Sequence, residues 1–319
     1  MSKNYRTLVT GNVPLDWTGK LGEISEIIIW PGEKDFLMPR AKVLHGLKGV
    51  HAIVNYAELR VDSELLDSAP DLRIVANASI GFDNLDLAEL SRRGIWASNS
   101  PGFFNFAVAE YIIAGMLHIS RRLGEAGRFV RDGNWTSFEP GRWDGISLRE
   151  QSLGIIGMGA IGKELSAMAA CIGMKVRYYD AKIKTLPGFM DLDELLNTSD
   201  FVSINVPLTK ETHRMVDSEF MEKLKKGAVL INTSRGPVVD QAVLIDHLVS
   251  GRLRGAVLDV FDNEPTVPDE LKQLYNVVIT PHIAGGTKSS RKMSLQNVFL
   301  NVYQVLSGFP PLNPLNNIE

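Results

Sequence analysis

The sequence is poor in cysteine, because Cys171 is the only one among 319 residues. A single thiol excludes a disulfide framework within the chain, on which small secreted domains commonly depend. Low cysteine usage is also typical of proteins in a reducing compartment. The segment Met1–Arg6 is short and polar, with no apolar stretch behind it, so we expect no secretory signal. These features together predict a cytoplasmic protein.

Long apolar runs and a strong excess of charge are missing as well. The longest apolar stretch, residues 107–119, is interrupted by Glu110 and is shorter than the roughly 20 residues of a membrane-spanning helix. Lysine and arginine (34) nearly balance aspartate and glutamate (37), which gives a net charge of −3. A slightly acidic chain has no general attraction to polyanions, so we expect neither a membrane nor a nucleic acid as partner.

Short apolar strands alternate with helical segments along most of the chain, whose length suggests about two domains. In the first hundred residues, β-branched runs such as residues 50–55 and 72–76 end at polar turns, and a second series begins at Gln151. Strands that alternate with helices predict parallel sheets with helices on both faces. Between the two series we expect a helix over residues 105–123 and an irregular segment over residues 125–145. After the second series we expect a closing helix over residues 295–307.

The segment 105–123 is apolar on more than one face. Val108, Ile112, Met116 and Ile119 recur at helical spacing, and neighbouring small or apolar side chains widen the stripe that they form. Two interpretations stay open: a helix buried in the core of its own domain, and a helix that also packs against a second copy of the chain.

A glycine-rich turn follows the first strand of the second series. Gly157, Gly159 and Gly162 give the pattern G-x-G-x-x-G between an apolar strand and a helix. This context predicts a dinucleotide-binding turn, with the pyrophosphate at the helix N-terminus. Asp180 ends the next strand, where a carboxylate binds ribose hydroxyls and repels a 2′-phosphate, so NAD is favoured over NADP. The alternative is an ordinary glycine turn with Asp180 on the surface.

Polar residues follow three later strands in succession. Arg235 comes after the strand at residues 228–232, Glu264 lies beyond the strand at 255–259, and His282 follows the strand at 277–280. The carboxyl edge of a parallel sheet is where open α/β folds bind ligands. There Arg235 could clamp a carboxylate, His282 could exchange a proton with a carbonyl oxygen, and Glu264 could stabilise the imidazolium.

Four segments make the chain resemble a known family. GIIGMGAIG with Asp180, NTSRGPVVD, LDVFDNEP and TPHIAG follow one another in the family's order and at its ordinary spacing. On these motifs the chain resembles the D-isomer-specific 2-hydroxyacid dehydrogenases over essentially its whole length. The resemblance implies hydride transfer between NAD and the C2 carbon of a small 2-keto or 2-hydroxy acid. It also implies a catalytic triad of Arg235, Glu264 and His282.

The resemblance extends to the binding residues. It implies that Asp259 meets the nicotinamide carboxamide, and that backbone N–H groups of the Ser79–Gly81 loop hold the substrate carboxylate together with Arg235. The residues expected to bind NAD are Gly157, Met158, Gly159, Ala160, Ile161, Gly162, Asp180, Val206, Pro207, Thr212, Thr233, Ser234, Arg235, Asp259, His282 and Ala284. The residues expected to contact the substrate are Asn55, Ala57, Ser79, Ile80, Gly81, Arg235 and His282.

The resemblance also predicts how the domains are connected. In this family the cofactor domain is inserted into the substrate domain, so we expect a flavodoxin-like, doubly wound domain from residues 1–100 and 286–319. Residues 101–285 are expected to form a doubly wound Rossmann domain that binds NAD. The resemblance also implies a homodimer, because members of this family usually dimerise through the cofactor domain. The segment NFAVAE at residues 105–110 is similar to the start of a helix in the family.

Several substrates remain compatible with these motifs. The loop at residues 54–62 has the length typical of glyoxylate and hydroxypyruvate reductases, which favours NADH-dependent, reversible reduction of such a keto acid to the D-2-hydroxy acid. Asn55 is neutral where phosphoglycerate dehydrogenases are expected to carry an arginine, and Glu264 stands where formate dehydrogenases are expected to have glutamine. A phosphoglycerate dehydrogenase-like activity, an NAD-sensing protein similar to transcriptional corepressors, and another Rossmann enzyme such as a methyltransferase stay open as alternatives.

Overall fold

The computed structural model describes residues 3–32, 35–56 and 59–318, and the chain divides into two compact units. The first unit combines Met1–Phe104 with Gly286–Glu319, and the second is Asn105–Gly285. The chain therefore leaves the first unit once and returns to it. No helix in the described ranges has both the length and the apolar character needed to cross a membrane.

The first unit is built on a five-stranded parallel sheet. Its strands are β1 (Tyr5–Val9), β2 (Ser25–Ile29), β3 (Ala52–Asn55), β4 (Ile74–Asn77) and β5 (Trp96–Ser98). Their order in the sheet is β2-β1-β3-β4-β5, the flavodoxin-like order that was expected. The helices of this part of the chain are α1 (Leu21–Ile24), α2 (Arg40–Gly46), α3 (Ser63–Asp67) and α4 (Leu87–Arg92).

Alternation of side chains along the central strands divides the core of the first unit into two layers. In β3, Ile53 joins a cluster with Leu65 and Leu90, whereas Val54 on the opposite face joins a cluster with Phe299. Successive residues of a strand point to opposite faces, so a strand that is covered on both sides reads as a continuous apolar run. This is why the central strands could be located from their composition.

The second unit contains a six-stranded parallel sheet, which confirms the Rossmann prediction. Its order is β11-β10-β9-β8-β6-β7, so the strand order reverses beside β6. The elements are α5 (Asn105–Ser120), α6 (Leu123–Arg131), β6 (Ser152–Ile156), α7 (Ala160–Cys171), β7 (Lys175–Tyr179), α8 (Leu192–Thr198), β8 (Phe201–Ile204), α9 (Ser218–Lys223), β9 (Val229–Asn232), α10 (Gln241–Val249), β10 (Gly255–Leu258), α11 (Asp269–Gln273) and β11 (Val277–Ile279). Ligands of such folds bind outside the carboxyl ends of the strands, at the point of reversal.

The segment that was expected to be irregular begins with a helix instead. α5 ends at Ser120 rather than at Leu123, because Arg122 adopts a left-handed backbone with φ of 52°. α6 then covers residues 123–131, although its two glycines disfavour a helix there. None of its residues is buried in the part of the chain that the structure describes, and the ring of Phe129 packs against that of Trp143 at a centroid distance of 5.2 Å.

Helix α12 (Lys288–Leu306) returns the chain to the first unit and begins well before the predicted Leu295. The hydroxyl of Thr287 accepts the N–H of Ser290, whose own hydroxyl accepts the N–H of Thr287. This reciprocal cap starts the helix in a polar stretch without apolar periodicity, which explains the wrong boundary. Further along, Phe299 packs in the same cluster as strands β1, β3 and β4.

Replacement of Phe299 by alanine tests whether this helix secures the first unit. Phe299 is only 1% exposed, so its loss leaves a cavity against the sheet and should lower the free energy of unfolding by about 3–5 kcal/mol. Trp17 and Trp96 pack against the same cluster, so tryptophan fluorescence during urea denaturation reports this change.

The matched control is Leu300→Ala on the next residue of the same helix. Leu300 is 42% exposed, and its truncation should cost less than about 1 kcal/mol. Equal losses for the two variants would contradict the packing described for α12.

Candidate active site

The turn between β6 and α7 has the backbone shape of a dinucleotide-binding loop. Gly157 has a φ of 97°, and a Cβ at this position would collide with the Asn205 carbonyl. At Gly159 a Cβ would meet no atom of the described residues within 4 Å, so the backbone there is open to a ligand. The first N–H groups of α7 have no acceptor within the helix, because no helical turn precedes them. The turn therefore fits the pyrophosphate of a dinucleotide.

Asp180 follows β7 and is fixed by three backbone donors. Its Oδ2 accepts the N–H of Met158, and its Oδ1 accepts those of Lys182 and Ile183, all at 2.8 Å. Partial burial opposes the charged form, but these hydrogen bonds lower the pKa of Asp180 below its ordinary value. The carboxylate therefore stays ionised, and Oδ2 can still accept a ribose hydroxyl, because a carboxylate oxygen has room for two donors.

Met158 thus contributes to the predicted cofactor site in an indirect way. Its side chain is buried and its N–H is bound to Asp180. In the loop after β8, Val206 and Pro207 lie one residue beyond the strand end, and Thr212 closes the loop by donating its hydroxyl to the Pro207 carbonyl at 2.6 Å. This loop and the glycine turn flank the point at which the strand order reverses.

The turn that carries Arg235 is held by Asn232, the last residue of β9. The Asn232 side chain is buried, donates to the Arg235 carbonyl at 2.9 Å and accepts the Ser234 N–H at 3.0 Å. A Cβ on Gly236 would collide with the Phe261 backbone, so only glycine lets this turn approach the loop after β10. The Arg235 guanidinium donates to the Ser234 carbonyl at 2.8 Å. Thr233 and Ser234 lie in the same turn.

Glu264 and His282, which were expected to act together, are hydrogen-bonded. The Nδ1 of His282 lies 2.8 Å from the Oε2 of Glu264, and the Oε1 of Glu264 accepts the Phe261 N–H at 3.1 Å. Because an ionised carboxylate can only accept, the imidazole must donate from Nδ1. The side chain of His282 is 49% exposed, so its ring remains accessible.

The charges around this pair set its protonation state. The hydrogen bond to Glu264 raises the pKa of His282 above 6.5, although burial and the charge of Arg235 both oppose the increase. Burial would raise the pKa of Glu264, but the hydrogen bond and charge of His282, with the Phe261 N–H and Arg235, lower it. The pair therefore favours an ionised carboxylate beside a protonated imidazole more strongly than either group would on its own.

Asp259 is the first residue after β10 and is completely buried. Its Oδ1 accepts the Thr280 hydroxyl and the Ile283 N–H, and its Oδ2 accepts the Ala284 N–H at 2.7 Å. Burial raises the pKa of Asp259, against these hydrogen bonds. The carboxylate thus fastens the loop after β11 to the end of β10, in addition to the role in nicotinamide binding that the resemblance implies.

In the first unit, Asn55 does not present its side chain to solvent. It is completely buried, and its amide donates to the Leu59 carbonyl and to the Asn77 side chain. Asn77 in turn bonds Asn84, and these two asparagines had not been singled out from the sequence. The network joins the loops after β3 and β4. Ala57, also expected at the substrate, lies outside the described residues.

The Ser79–Gly81 loop presents backbone donors. Its carbonyl groups accept hydrogen bonds from Ser100, Asn99 and Asn77. None of its three N–H groups donates to an acceptor within residues 3–32, 35–56 and 59–318. A run of such N–H groups is a common binding element for a carboxylate.

Comparison with known proteins gives matches along the whole chain. The model of the D-isomer specific 2-hydroxyacid dehydrogenase NAD binding domain matches residues 113–284. The glyoxylate reductase of Thermococcus litoralis is 38% identical over 322 residues, which cover 98% of this chain and 96% of that protein. A solved structure from Thermus thermophilus has a TM-score of 0.92 at 37% identity and covers 97% of this chain and 99% of its own.

A further solved structure contains a bound coenzyme. It is the NADPH-dependent glyoxylate/hydroxypyruvate reductase of Sinorhizobium meliloti in complex with NADP and malonate, with a TM-score of 0.84 at 29% identity and coverage of 98% of this chain and 97% of that one. The family model covers most of the second unit, and the full-length relatives extend across the first. The chain therefore belongs to the D-isomer-specific 2-hydroxyacid dehydrogenase family and is an NAD-dependent oxidoreductase.

Proposed function

We propose that the chain reduces a small 2-keto acid of the glyoxylate and hydroxypyruvate type to the D-2-hydroxy acid, reversibly and with NADH. The observation that carries this proposal is the 2.8 Å hydrogen bond between Glu264 and His282, with the charge of Arg235 acting on both. The substrate class is supported by relatives named glyoxylate reductase or glyoxylate/hydroxypyruvate reductase.

Bound NADH supplies the hydride that reaches C2 of the keto acid. Arg235 binds the substrate through its planar guanidinium and polarises the carbonyl group. His282 donates its proton to the carbonyl oxygen as negative charge develops there, and it takes that proton back in the oxidative direction. Glu264 keeps the imidazole in one tautomer and stabilises its cation. Arg235 and His282 together place positive charge where the alkoxide forms.

The Ser79–Gly81 loop is proposed to contribute N–H groups for the substrate carboxylate. Its carbonyl oxygens are occupied by neighbouring side chains and backbone, so the loop is held with its donors available. A site of this kind binds any small keto acid through the carboxylate that all of them share, and leaves selection among them to the rest of the substrate.

Asp180 is proposed to make NADH the preferred coenzyme. Its carboxylate stays ionised, and a 2′-phosphate placed near it would be repelled. The related NADPH-dependent reductase of Sinorhizobium meliloti shows that the fold also accommodates the phosphorylated coenzyme. We therefore expect a preference for NADH rather than complete exclusion of NADPH.

A steady-state assay of coenzyme oxidation tests this function. Glyoxylate and hydroxypyruvate should be reduced with NADH at a kcat of roughly 1–10³ s⁻¹, the usual range for enzymes. NADPH should support a lower kcat/KM, because the charge of Asp180 acts on its additional phosphate. Several other 2-keto acids, including 3-phosphohydroxypyruvate, should be run in parallel. Failure of every keto acid with both coenzymes would contradict the proposal.

His282→Asn tests the role of the histidine in the same assay, because asparagine keeps a polar side chain but has no proton that it can readily transfer. We expect kcat to fall by roughly 10²–10⁴-fold, far more than the change in the Kd for NADH measured from protein fluorescence. His45→Gln changes an exposed histidine in α2 of the first unit and should leave turnover unchanged. Unchanged turnover in the His282 variant would show that His282 is not the proton carrier.

We also propose that the second unit mediates a homodimer. One face of α5 is buried in its own unit, but Phe106 and Leu117 of the same helix are exposed. The segment that follows adds exposed apolar side chains, of which Phe138 is 88% exposed. The exposed apolar residues of α5 and of the segment up to residue 138 are Phe106, Leu117, Leu123, Val130, Trp135 and Phe138. So many exposed apolar residues within one short segment favour a surface covered by a second copy.

The mass of the protein in solution tests this proposal. Size-exclusion chromatography with light scattering should give the mass of two chains for the wild type. The double variant Leu117→Glu and Val130→Glu should have a lower mass, closer to that of one chain, because an unpaired charge is costly in an apolar interface. Val249→Glu, an equally apolar exposed position in α10, is the control and should leave the mass unchanged. A wild-type mass of one chain would refute the homodimer.

A further inference from the structure

A tyrosine outside the segments that carry the catalytic residues is linked to them by hydrogen bonds. The hydroxyl of Tyr111, in α5, lies 2.5 Å from the Oγ1 of Thr280, which donates to Oδ1 of Asp259. We propose that Tyr111 is a positioning residue, which acts through Thr280 and Asp259 to hold His282 in place for proton transfer. The inference rests on the proposed function, since it assigns His282 as the proton carrier.

The chain of hydrogen bonds has one direction. A threonine hydroxyl has a single hydrogen, and that of Thr280 is used towards Asp259. Tyr111 must therefore be the donor to Thr280. Burial raises the pKa of Tyr111 above its ordinary value, so the phenol keeps its proton near neutral pH. Donation from Tyr111 occupies a lone pair of the threonine oxygen and keeps the threonine hydrogen turned towards the carboxylate.

Asp259 transmits this orientation to the loop that carries His282. The N–H of His282 donates to the Asp259 carbonyl at 2.9 Å, while the N–H groups of Ile283 and Ala284 donate to its carboxylate. His282 itself has a φ of 54°, a left-handed backbone that a residue with a side chain adopts only when its surroundings enforce it. The position of the imidazole therefore depends on two acidic residues: Asp259 holds the backbone of the loop, and Glu264 holds the ring.

The charge of Asp259 also acts on the proton of His282. Three charged groups face the imidazole: Glu264 raises its pKa most, Asp259 raises it further, and Arg235 lowers it. Asp259 is completely buried, so its ionised form depends on the hydrogen bonds that it accepts. Loss of the oriented Thr280 hydroxyl would favour protonation of Asp259 and thereby lower the pKa of His282.

The test removes each hydroxyl separately and then both together. In Tyr111→Phe, kcat for keto acid reduction should fall roughly 3- to 10-fold, the effect of one lost hydrogen bond. The upper pH limit of reduction should move to lower pH, and the Kd for NADH should change by less than about twofold. Thr280→Val should reproduce these effects, whereas Thr280→Ser, which retains the hydroxyl, should restore the wild-type pH profile.

Combination of the two changes distinguishes a connected chain from separate contacts. Once Thr280→Val has broken the link, Tyr111→Phe should add less than about twofold to the loss. Tyr178→Phe is the matched control: Tyr178 is a buried tyrosine of the same unit whose hydroxyl bonds Leu186, and its variant should keep the wild-type kcat and pH profile at saturating coenzyme. Independent, multiplicative losses at Tyr111 and Thr280, or a wild-type pH profile in Tyr111→Phe, would overturn the proposal.

A readout without turnover separates this inference from the function on which it rests. The pKa of His282, followed by NMR of its ring signals, should be lower in Tyr111→Phe than in the wild type. This shift would stand even if the wild type reduced none of the keto acids tested, in which case only the proposed function would fail. An unchanged pKa of His282 together with an active wild-type enzyme would overturn the inference alone.

Discussion

The hydrogen bond between Glu264 and His282 is the interaction on which the proposed chemistry depends. It fixes the imidazole in the tautomer that donates from Nδ1, which leaves Nε2 to exchange a proton with the substrate. It also raises the pKa of His282 against the opposing charge of Arg235. Without the carboxylate, the positive charge of Arg235 would repel that of protonated His282 with no compensating negative charge from Glu264, and the histidine would lose its proton more readily.

The sheet of the second unit brings these groups together. β9, β10 and β11 are neighbours, so the residues that follow them lie at one edge. Asn232 shapes the turn that holds Arg235, and Asp259 fastens the loop that holds His282. The close approach of Gly236 to the Phe261 backbone brings the first of these turns against the loop after β10. Buried polar side chains thus determine where the reactive ones lie.

Much of this arrangement could be predicted from the sequence, because its signals are local. The glycine turn, the apolar strands and the polar residues at strand ends each occupy a few consecutive positions, and the parallel topology follows from their alternation. Other features depend on contacts between distant residues. The hydrogen bond from Tyr111 to Thr280 joins two segments far apart in the chain, and neither residue has a motif of its own. The burial of Asn55 likewise depends on Asn77, which lies on the neighbouring strand.

The errors of prediction have similar causes. α6 forms although its two glycines disfavour a helix and although none of its described residues is buried. α12 begins in a polar stretch because a reciprocal cap at Thr287 replaces the apolar pattern. In both cases the helix boundary is set by backbone or capping geometry rather than by the spacing of apolar residues.

The pH dependence of hydride transfer in a single turnover tests the central role of the Glu264 and His282 pair most directly. Stopped-flow mixing of the NADH-loaded enzyme with keto acid should show transfer that persists above pH 6.5 in the wild type and declines only at the raised pKa of His282. In Glu264→Gln, which cannot carry the negative charge, the decline should move to lower pH. The same pH profile in both proteins would contradict the account.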